Sequence, residues 1–291
     1  MNSTEISNLI LRANALVKTN WLHAVHILEQ AKTENPQNLS ILMNLGNVFL
    51  ERQLFEKALG YFQEAIALKP DDPQLLYIIG NCYFSTGEYR IANSYFNQIK
   101  DPPPEVLYNK ALSLAFLGMN KESIEVINQL LLILTDNPFI YFLLIEQHLR
   151  IQNYELAHQI IVKSKKLFGK HRQLLLLSAI VNSKKCIWLQ AYHDFAEYEA
   201  LSPINNPDHL VAFAQAAYKI GLGDRSINLL NRALKQNPYI SSAYEELIRI
   251  QLQKSDFAGA RKTIKLAKQY ITRFNPILKL LQERVHNEAP I

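Results

Sequence analysis

Residues 55–72, FEKALGYFQEAIALKPDD, set a pattern that the chain has already used once. The stretch begins with an aromatic residue, has a small residue three positions later and a large apolar residue four further on, and then contains a second small residue and a proline. Residues 21–38, WLHAVHILEQAKTENPQN, repeat these features thirty-four positions earlier.

The small residue of this pattern recurs along nearly the whole chain. It is found at Ala24, Ala58, Ala92, Ser123, Ala157, Ala191, Ser226 and Ala260. The spacings are 34, 34, 31, 34, 34, 35 and 34 residues, and the residue three positions before is aromatic in six of eight copies. A fixed period of this length predicts a repeat protein whose units stack on their neighbours.

Each unit is predicted to contain two helices joined by a short turn. Apolar residues in 54–66 follow helical spacing, and Pro70 follows the end of that helix. Gly87, Gly118 and Gly221 lie in the turn of their own units, where we expect positive φ angles.

The small residues have a packing role in this prediction. Helices approach to about 8–10 Å only where the facing residues permit it. Ala58 and its equivalents would lie at the crossing of the paired helices, and Gly46 and Gly80 would do the same on the first helix. A leucine at Ala58 would overpack the crossing and lower the free energy of unfolding by about 1–3 kcal/mol.

These features resemble the tetratricopeptide repeat family. Its signature positions are occupied most fully in the second unit, by Leu42, Leu45, Gly46, Phe49, Ala58, Phe62, Ala65 and Pro70. The resemblance implies an all-α fold, a right-handed superhelical solenoid of about eight repeats within residues 1–274. We place the repeats at 5–38, 39–72, 73–103, 104–137, 138–171, 172–206, 207–240 and 241–274.

Two segments depart from the repeat. Pro102, Pro103 and Pro104 shorten the third unit by three residues, so we expect a shortened second helix there. Residues 275–291 are predicted to form a C-terminal capping helix, with Asn275 as its N-cap and Pro276 at its first position.

The repeats leave too few residues for a catalytic domain, and we predict a protein that is not an enzyme. There is no glycine-rich phosphate loop and no His-Glu-x-x-His motif. We therefore predict no catalytic residue, no metal site and no cofactor. Two distant cysteines, Cys82 and Cys186, suggest free buried thiols in a reducing compartment. With neither a signal peptide nor a membrane span predicted, we expect a cytoplasmic protein.

In this family the first helices line the concave face, and the resemblance implies that a peptide or protein partner binds there. The predicted groove residues are Asn44, Asn47, Tyr77, Asn81, Phe84, Tyr108, Asn109, Phe139, Phe142 and Leu176. Asparagine amides can donate to and accept from a peptide backbone, and exposed apolar side chains favour binding. The alternatives are solvated asparagines and apolar packing between neighbouring first helices.

The resulting hypothesis is a scaffold or adaptor that holds a protein segment, with a role in assembling a larger complex. Charge supports an alternative. Residues 1–145 contain 10 basic and 14 acidic residues, whereas residues 146–291 contain 21 and 12. The basic half could bind a nucleic acid or an acidic partner, although no aromatic-interleaved basic motif accompanies it. Its basic segments, such as 163–172, are expected to face outward. An enzyme subunit active only within a complex and a self-associating array also stay open.

Overall fold

The computed structural model describes residues 3–288, and within that range it contains seventeen α-helices and no β-strand. The helices are α1 Ser3–Leu16, α2 Trp21–Glu34, α3 Leu39–Glu51, α4 Phe55–Leu68, α5 Pro73–Ser85, α6 Tyr89–Phe96, α7 Pro104–Phe116, α8 Asn120–Leu131, α9 Pro138–Arg150, α10 Tyr154–Phe168, α11 Arg172–Lys184, α12 Trp188–Leu201, α13 Pro207–Lys219, α14 Gly223–Gln236, α15 Ser241–Gln253, α16 Phe257–Tyr270 and α17 Pro276–Glu288. The predicted all-α class is confirmed.

The chain separates into two compact units, of which the first ends at Ile140 and the second begins at Tyr141. We call them the N-terminal unit and the C-terminal unit. Within each, a helix packs on the next helix of the chain and, in several cases, on the next but one. This is the nearest-neighbour packing of a helical repeat solenoid. The division of residues 1–274 into a single array of eight repeats stays a prediction.

The eight small residues lie at the helix crossings. All of them are fully buried, and each belongs to an even-numbered helix, which we call a second helix. The large residues four positions later, from Leu28 to Ile264, are buried as well. Small side chains therefore permit close backbone approach, and the large neighbours fill the space beside it.

Glycine and serine serve this crossing in different ways. A Cβ built on Gly46 would lie 2.3 Å from Cε1 of Phe62, and one on Gly80 would lie 2.5 Å from Cε1 of Phe96. Ser123 Oγ donates to the Ala111 carbonyl oxygen at 2.8 Å, and the equivalent bond in the C-terminal unit joins Ser226 and Ala214. The buried hydroxyls are thus satisfied by the helix that they touch.

Within residues 3–288, seven of the eight turns between paired helices contain one left-handed residue, the turn between α1 and α2 being the exception. Gly87, Gly118 and Gly221 have φ angles of +84°, +74° and +89°, as predicted. Residues other than glycine adopt positive φ in other turns, namely Gln53, Gln152, Cys186 and Ser255. The turn geometry therefore belongs to the hairpin and is imposed on side chains that disfavour it.

Other local predictions can be checked directly. Helix α6 has eight residues, against 12–15 in the other second helices, which confirms the shortening. Asn275 Oδ1 accepts from the Leu278 amide at 2.9 Å and so caps α17. Both cysteines are free, and burial raises the pKa of the Cys82 thiol to about 11. The prediction is wrong for Cys186, which lies exposed in a left-handed turn.

The C-terminal unit buries a carboxylate at the junction of three helices. Asp194 on α12 is 3% exposed. Its Oδ1 accepts from Lys165 Nζ of α10 at 3.1 Å and from Gln190 Nε2 at 3.0 Å. Its Oδ2 accepts from Ser178 Oγ and Asn182 Nδ2 of α11, at 2.5 and 3.0 Å. Lys165 thus turns inward, which corrects the expectation that all of segment 163–172 faces outward.

We expect Gly46→Ala to lower the free energy of unfolding by about 1–3 kcal/mol, because the new methyl group would overlap the Phe62 ring. Gly60 provides a matched control, since it lies mid-helix on α4 with no atom near its hypothetical Cβ. Gly60→Ala should stabilise by about 0.5–1 kcal/mol through helix propensity. Urea unfolding followed by circular dichroism measures both, and equal shifts in the two variants would contradict the packing role.

We expect Asp194→Asn to lower the free energy of unfolding by about 2 kcal/mol, because it removes charged hydrogen bonds and leaves Lys165 without its carboxylate. Glu197→Gln, one helical turn away, breaks only the exposed pair with Lys170. That control should change stability by less than about 0.5 kcal/mol. Thermal and urea unfolding would show the difference, and a neutral Asp194→Asn would remove the proposed role of this carboxylate.

Candidate protein-binding surface

The predicted groove residues of the N-terminal unit lie on three first helices. Asn44 and Asn47 are on α3, Tyr77, Asn81 and Phe84 on α5, and Tyr108 and Asn109 on α7. Asn47 is exposed, and the other six are half-buried. Spacings of three or four residues place the members on α3 and on α5 along one helical face, whereas Tyr108 and Asn109 are adjacent in α7.

Three of these residues form a network between α5 and α7. Asn109 Nδ2 donates to Asn81 Oδ1 at 2.8 Å and to the Tyr77 hydroxyl at 3.3 Å. The Tyr77 ring packs near Phe96, with 6.2 Å between the centroids. The network fixes the orientation of both amides. Within residues 3–288, Asn81 Nδ2 and Asn109 Oδ1 make no hydrogen bond.

Asn44 and Asn47 do not join this network. Asn44 Nδ2 donates to the Ser40 carbonyl oxygen of its own helix at 2.7 Å. The Asn47 side chain makes no hydrogen bond in the described part of the chain. It occupies the position of Asn81 one unit earlier, thirty-four residues before it.

Aromatic side chains surround the C-terminal end of α5. Phe84 contacts Tyr89 and Phe116, with centroid distances of 5.4 and 5.9 Å, and Tyr89 stacks on Phe116 at 4.6 Å. The Phe116 side chain is 59% exposed, although it was not among the predicted groove residues. A signal for it exists, because Phe116 is seven residues after Asn109 and so lies on the same face of α7.

Phe139 and Phe142 differ sharply in exposure. Phe139, in the N-terminal unit, is 51% exposed. Phe142, in the C-terminal unit, is 1% exposed, and its ring centroid lies 4.7 Å from that of His171. Phe142 therefore belongs to the core and presents no surface to a ligand. Leu176 is half-buried and packs against a core cluster of the C-terminal unit.

Burial changes the proton affinity of three side chains near these helices. Burial raises the pKa of Glu146, while the Gln173 amide donates to its carboxylate and opposes the change. It lowers the pKa of the Lys110 ammonium on α7 and of the His148 imidazole on α9. Each direction reflects the cost of holding a charge away from water.

A cavity of about 410 Å³ in the C-terminal unit lies beside the Asp194 network. Lys165, His171, Gln190, His193 and Glu197 are among its lining residues. Sequence reasoning missed it, although a signal exists. The residue three positions after the small residue is an acid only in α12 among the second helices.

Residues 3–288 offer neither a metal site nor a membrane-spanning helix. They contain no group of three or more His, Cys, Asp or Glu side chains arranged to hold a metal ion. No helix among them has both the length and the apolar character needed to cross a membrane.

Similarity to known proteins is found at the level of family and fold. A tetratricopeptide repeat family model matches residues 14–73, 43–105 and 211–274, together more than half of the chain. A search of curated protein sequences finds no match.

Solved structures resemble the chain at low sequence identity. The Cut9–Hcn1 hetero-tetramer of the APC/C has a TM-score of 0.61 and 19% identity, covering 98% of this chain, which spans 57% of that one. The C-terminal part of a TPR repeat-containing protein from Cytophaga hutchinsonii has a TM-score of 0.63 and 15% identity, and the match covers 80% of this chain and 97% of that one. Pseudomonas aeruginosa PilF has a TM-score of 0.59 and 15% identity, and the match covers 71% of this chain and 95% of that one. Identities this low establish the fold alone. The chain belongs to the tetratricopeptide repeat family, whose helical-repeat fold generally mediates protein–protein interaction.

Proposed function

We propose that this protein is a non-catalytic scaffold or adaptor that binds a segment of a partner protein along the first helices of its N-terminal unit. One observation carries the proposal: Asn109 donates to Asn81, and the pair keeps one donor and one acceptor unused. Asn81 Nδ2 and Asn109 Oδ1 belong to half-buried side chains that are held in place.

A donor and an acceptor of this kind match the polypeptide backbone. An extended chain presents a carbonyl oxygen and an N–H group at regular intervals, whatever its side chains. Asn81 Nδ2 would donate to the carbonyl oxygen, and Asn109 Oδ1 would accept from the N–H group. Because the network already orients both amides, little side-chain entropy is lost on binding.

Aromatic side chains would supply the apolar part of the contact. Tyr77, Phe84 and Tyr108 lie on the same two helices as the amide pair. Phe139 adds an exposed ring within the same unit. Asn47, on the preceding first helix, would extend the amide contacts to a longer segment. Partly exposed aromatic groups beside oriented polar groups are typical of binding surfaces.

Leu176 stays a predicted contact of the C-terminal unit, and Phe142 is omitted because its ring lies in the core. We also propose assembly of a larger complex in the cytoplasm, where the free Cys82 and Cys186 thiols would be stable.

The test removes the amide pair and measures binding of selected peptides. Peptides are first selected with the unaltered protein from a phage-displayed random library, and their affinities are measured by fluorescence anisotropy. We expect Asn81→Ala/Asn109→Ala to weaken binding about tenfold, because two hydrogen bonds of roughly 0.5–1.5 kcal/mol each are lost.

Asn228→Ala/Asn231→Ala is the matched control, because both asparagines are exposed on α14 of the C-terminal unit. This variant should bind the selected peptides as the unaltered protein does. Circular dichroism confirms that each variant is folded. Unchanged affinity in a folded Asn81→Ala/Asn109→Ala variant would refute the proposed contact.

A further inference from the structure

Successive second helices contact each other along a defined edge. Lys32 Nζ lies 2.8 Å from Glu64 Oε1, Lys165 Nζ lies 3.1 Å from Asp194 Oδ1, and Glu199 Oε1 lies 2.5 Å from Arg232 Nη1. Lys32, Lys165 and Glu199 are each eight residues after the small residue of their helix. Each therefore reaches forward to the second helix of the next repeat.

Two further positions belong to this edge. Glu29, five residues after Ala24, accepts a hydrogen bond from the Tyr61 hydroxyl of the next second helix. Val25, one residue after Ala24, packs against the core cluster that contains Phe62. We call positions one, five and eight after the small residue the forward edge of a second helix. Their spacing of four and three residues places them on one helical face.

On α16 the forward edge consists of three cations, Arg261, Lys265 and Lys268, and all of them are exposed. No carboxylate among residues 3–288 lies within 4 Å of any of them. Helix α16 itself contains no acidic residue. Lys265 is four residues from Arg261 and three from Lys268, so like charges face each other. Each such pair costs a helix about 0.2–0.5 kcal/mol.

Helix α17 leaves this edge uncovered. It packs through Leu278, Leu281 and Val285, which belong to a core cluster with residues of α15 and α16. Pro276 starts α17 as proline starts the first helices α5, α7, α9 and α13, so α17 occupies the place of a first helix. In residues 3–288 no second helix follows it.

We propose that the forward edge of α16 docks an acidic helix of a partner protein, placed as a following second helix would be. The internal pairs define what such a helix must present. The forward edge is contacted by side chains at three positions of the next second helix. Arg225 lies one residue before the small residue of its helix, Asp194 lies three residues after it, and Glu64 and Arg232 lie six residues after it. A partner with carboxylates spaced by four and three residues would match three cations at once.

A second copy of this chain fits the edge poorly. On α2, the positions that would receive it are His23, Ile27 and Gln30, and none carries a negative charge. A protein helix is favoured over a nucleic acid, because the forward edges of α2, α10 and α12 each meet side chains of another helix. The exposed Tyr270 of α16 could stack on a base, so the test below includes single-stranded DNA. This surface is independent of the first-helix surface of the N-terminal unit.

The probe is a fluorescein-labelled alanine-based helical peptide of about 20 residues, a length at which isolated helices persist. It carries glutamates on one face at spacings of four and three residues. A second peptide of the same composition has its glutamates scattered around the helix. Binding to the full chain is followed by fluorescence anisotropy at low and moderate salt. We expect the one-face peptide to bind about tenfold more tightly than the scattered one, and salt to weaken it.

Charge reversal then locates the site. Arg261→Glu/Lys265→Glu/Lys268→Glu should abolish binding of the glutamate peptide and create binding of a peptide with lysines at the same positions. Lys166→Glu/Lys184→Glu/Lys219→Glu changes net charge equally at exposed positions on other helices and should retain the original binding. Circular dichroism confirms that both variants are folded.

Several outcomes would overturn the proposal. They are equal binding of the one-face and scattered peptides, equal losses in the two triple variants, and self-association lost on reversal of the α16 edge. Tighter binding of single-stranded DNA or of anionic phospholipid vesicles through the same three cations would also overturn it, because the partner would then not be an acidic helix.

Discussion

The structure depends on the close approach of paired helices at one buried small residue per pair. All eight of these residues are fully buried, and at Gly46 and Gly80 an added Cβ would overlap the ring of a facing phenylalanine. A hairpin built in this way still has apolar faces that only the neighbouring hairpins can cover. The stacking within each unit follows from that requirement, and stacking in turn brings residues about thirty positions apart into contact.

Most of the fold could be predicted from the sequence because this contact recurs at a fixed period. The shortened α6 and the Asn275 cap could also be predicted, because proline ends a helix and asparagine caps one through local contacts. Side-chain environments were less accessible. Gln53 and Ser255 adopt left-handed φ angles that only glycine would have signalled. Phe142 has the spacing of a surface residue, yet its neighbours bury it, because α9 is apolar on nearly every side.

The candidate site was predicted as residue types and positions, without their hydrogen bonds. Asn81 and Asn109 differ in helical position, so the periodicity gave no reason to pair them. Their contact arises because α7 packs on α5, which places an amide of one helix opposite an amide of the other. In the Asp194 network, the ion pair with Lys165 likewise joins two repeats, because α10 packs on α11. Interactions between repeats are therefore the part that a single period leaves undetermined.

The same inter-repeat contacts explain why the two proposed surfaces differ in chemistry. Between the first helices α5 and α7, neighbouring repeats use neutral amides and a hydroxyl, so a ligand that extends this network meets polar groups without net charge. Along the second helices, neighbouring repeats use ion pairs, so an edge without a following helix presents unpaired charge. Neutral hydrogen bonds respond little to ionic strength, whereas exposed charges are screened within about 8–10 Å. Salt dependence therefore distinguishes a partner held by the first helices from one held at α16.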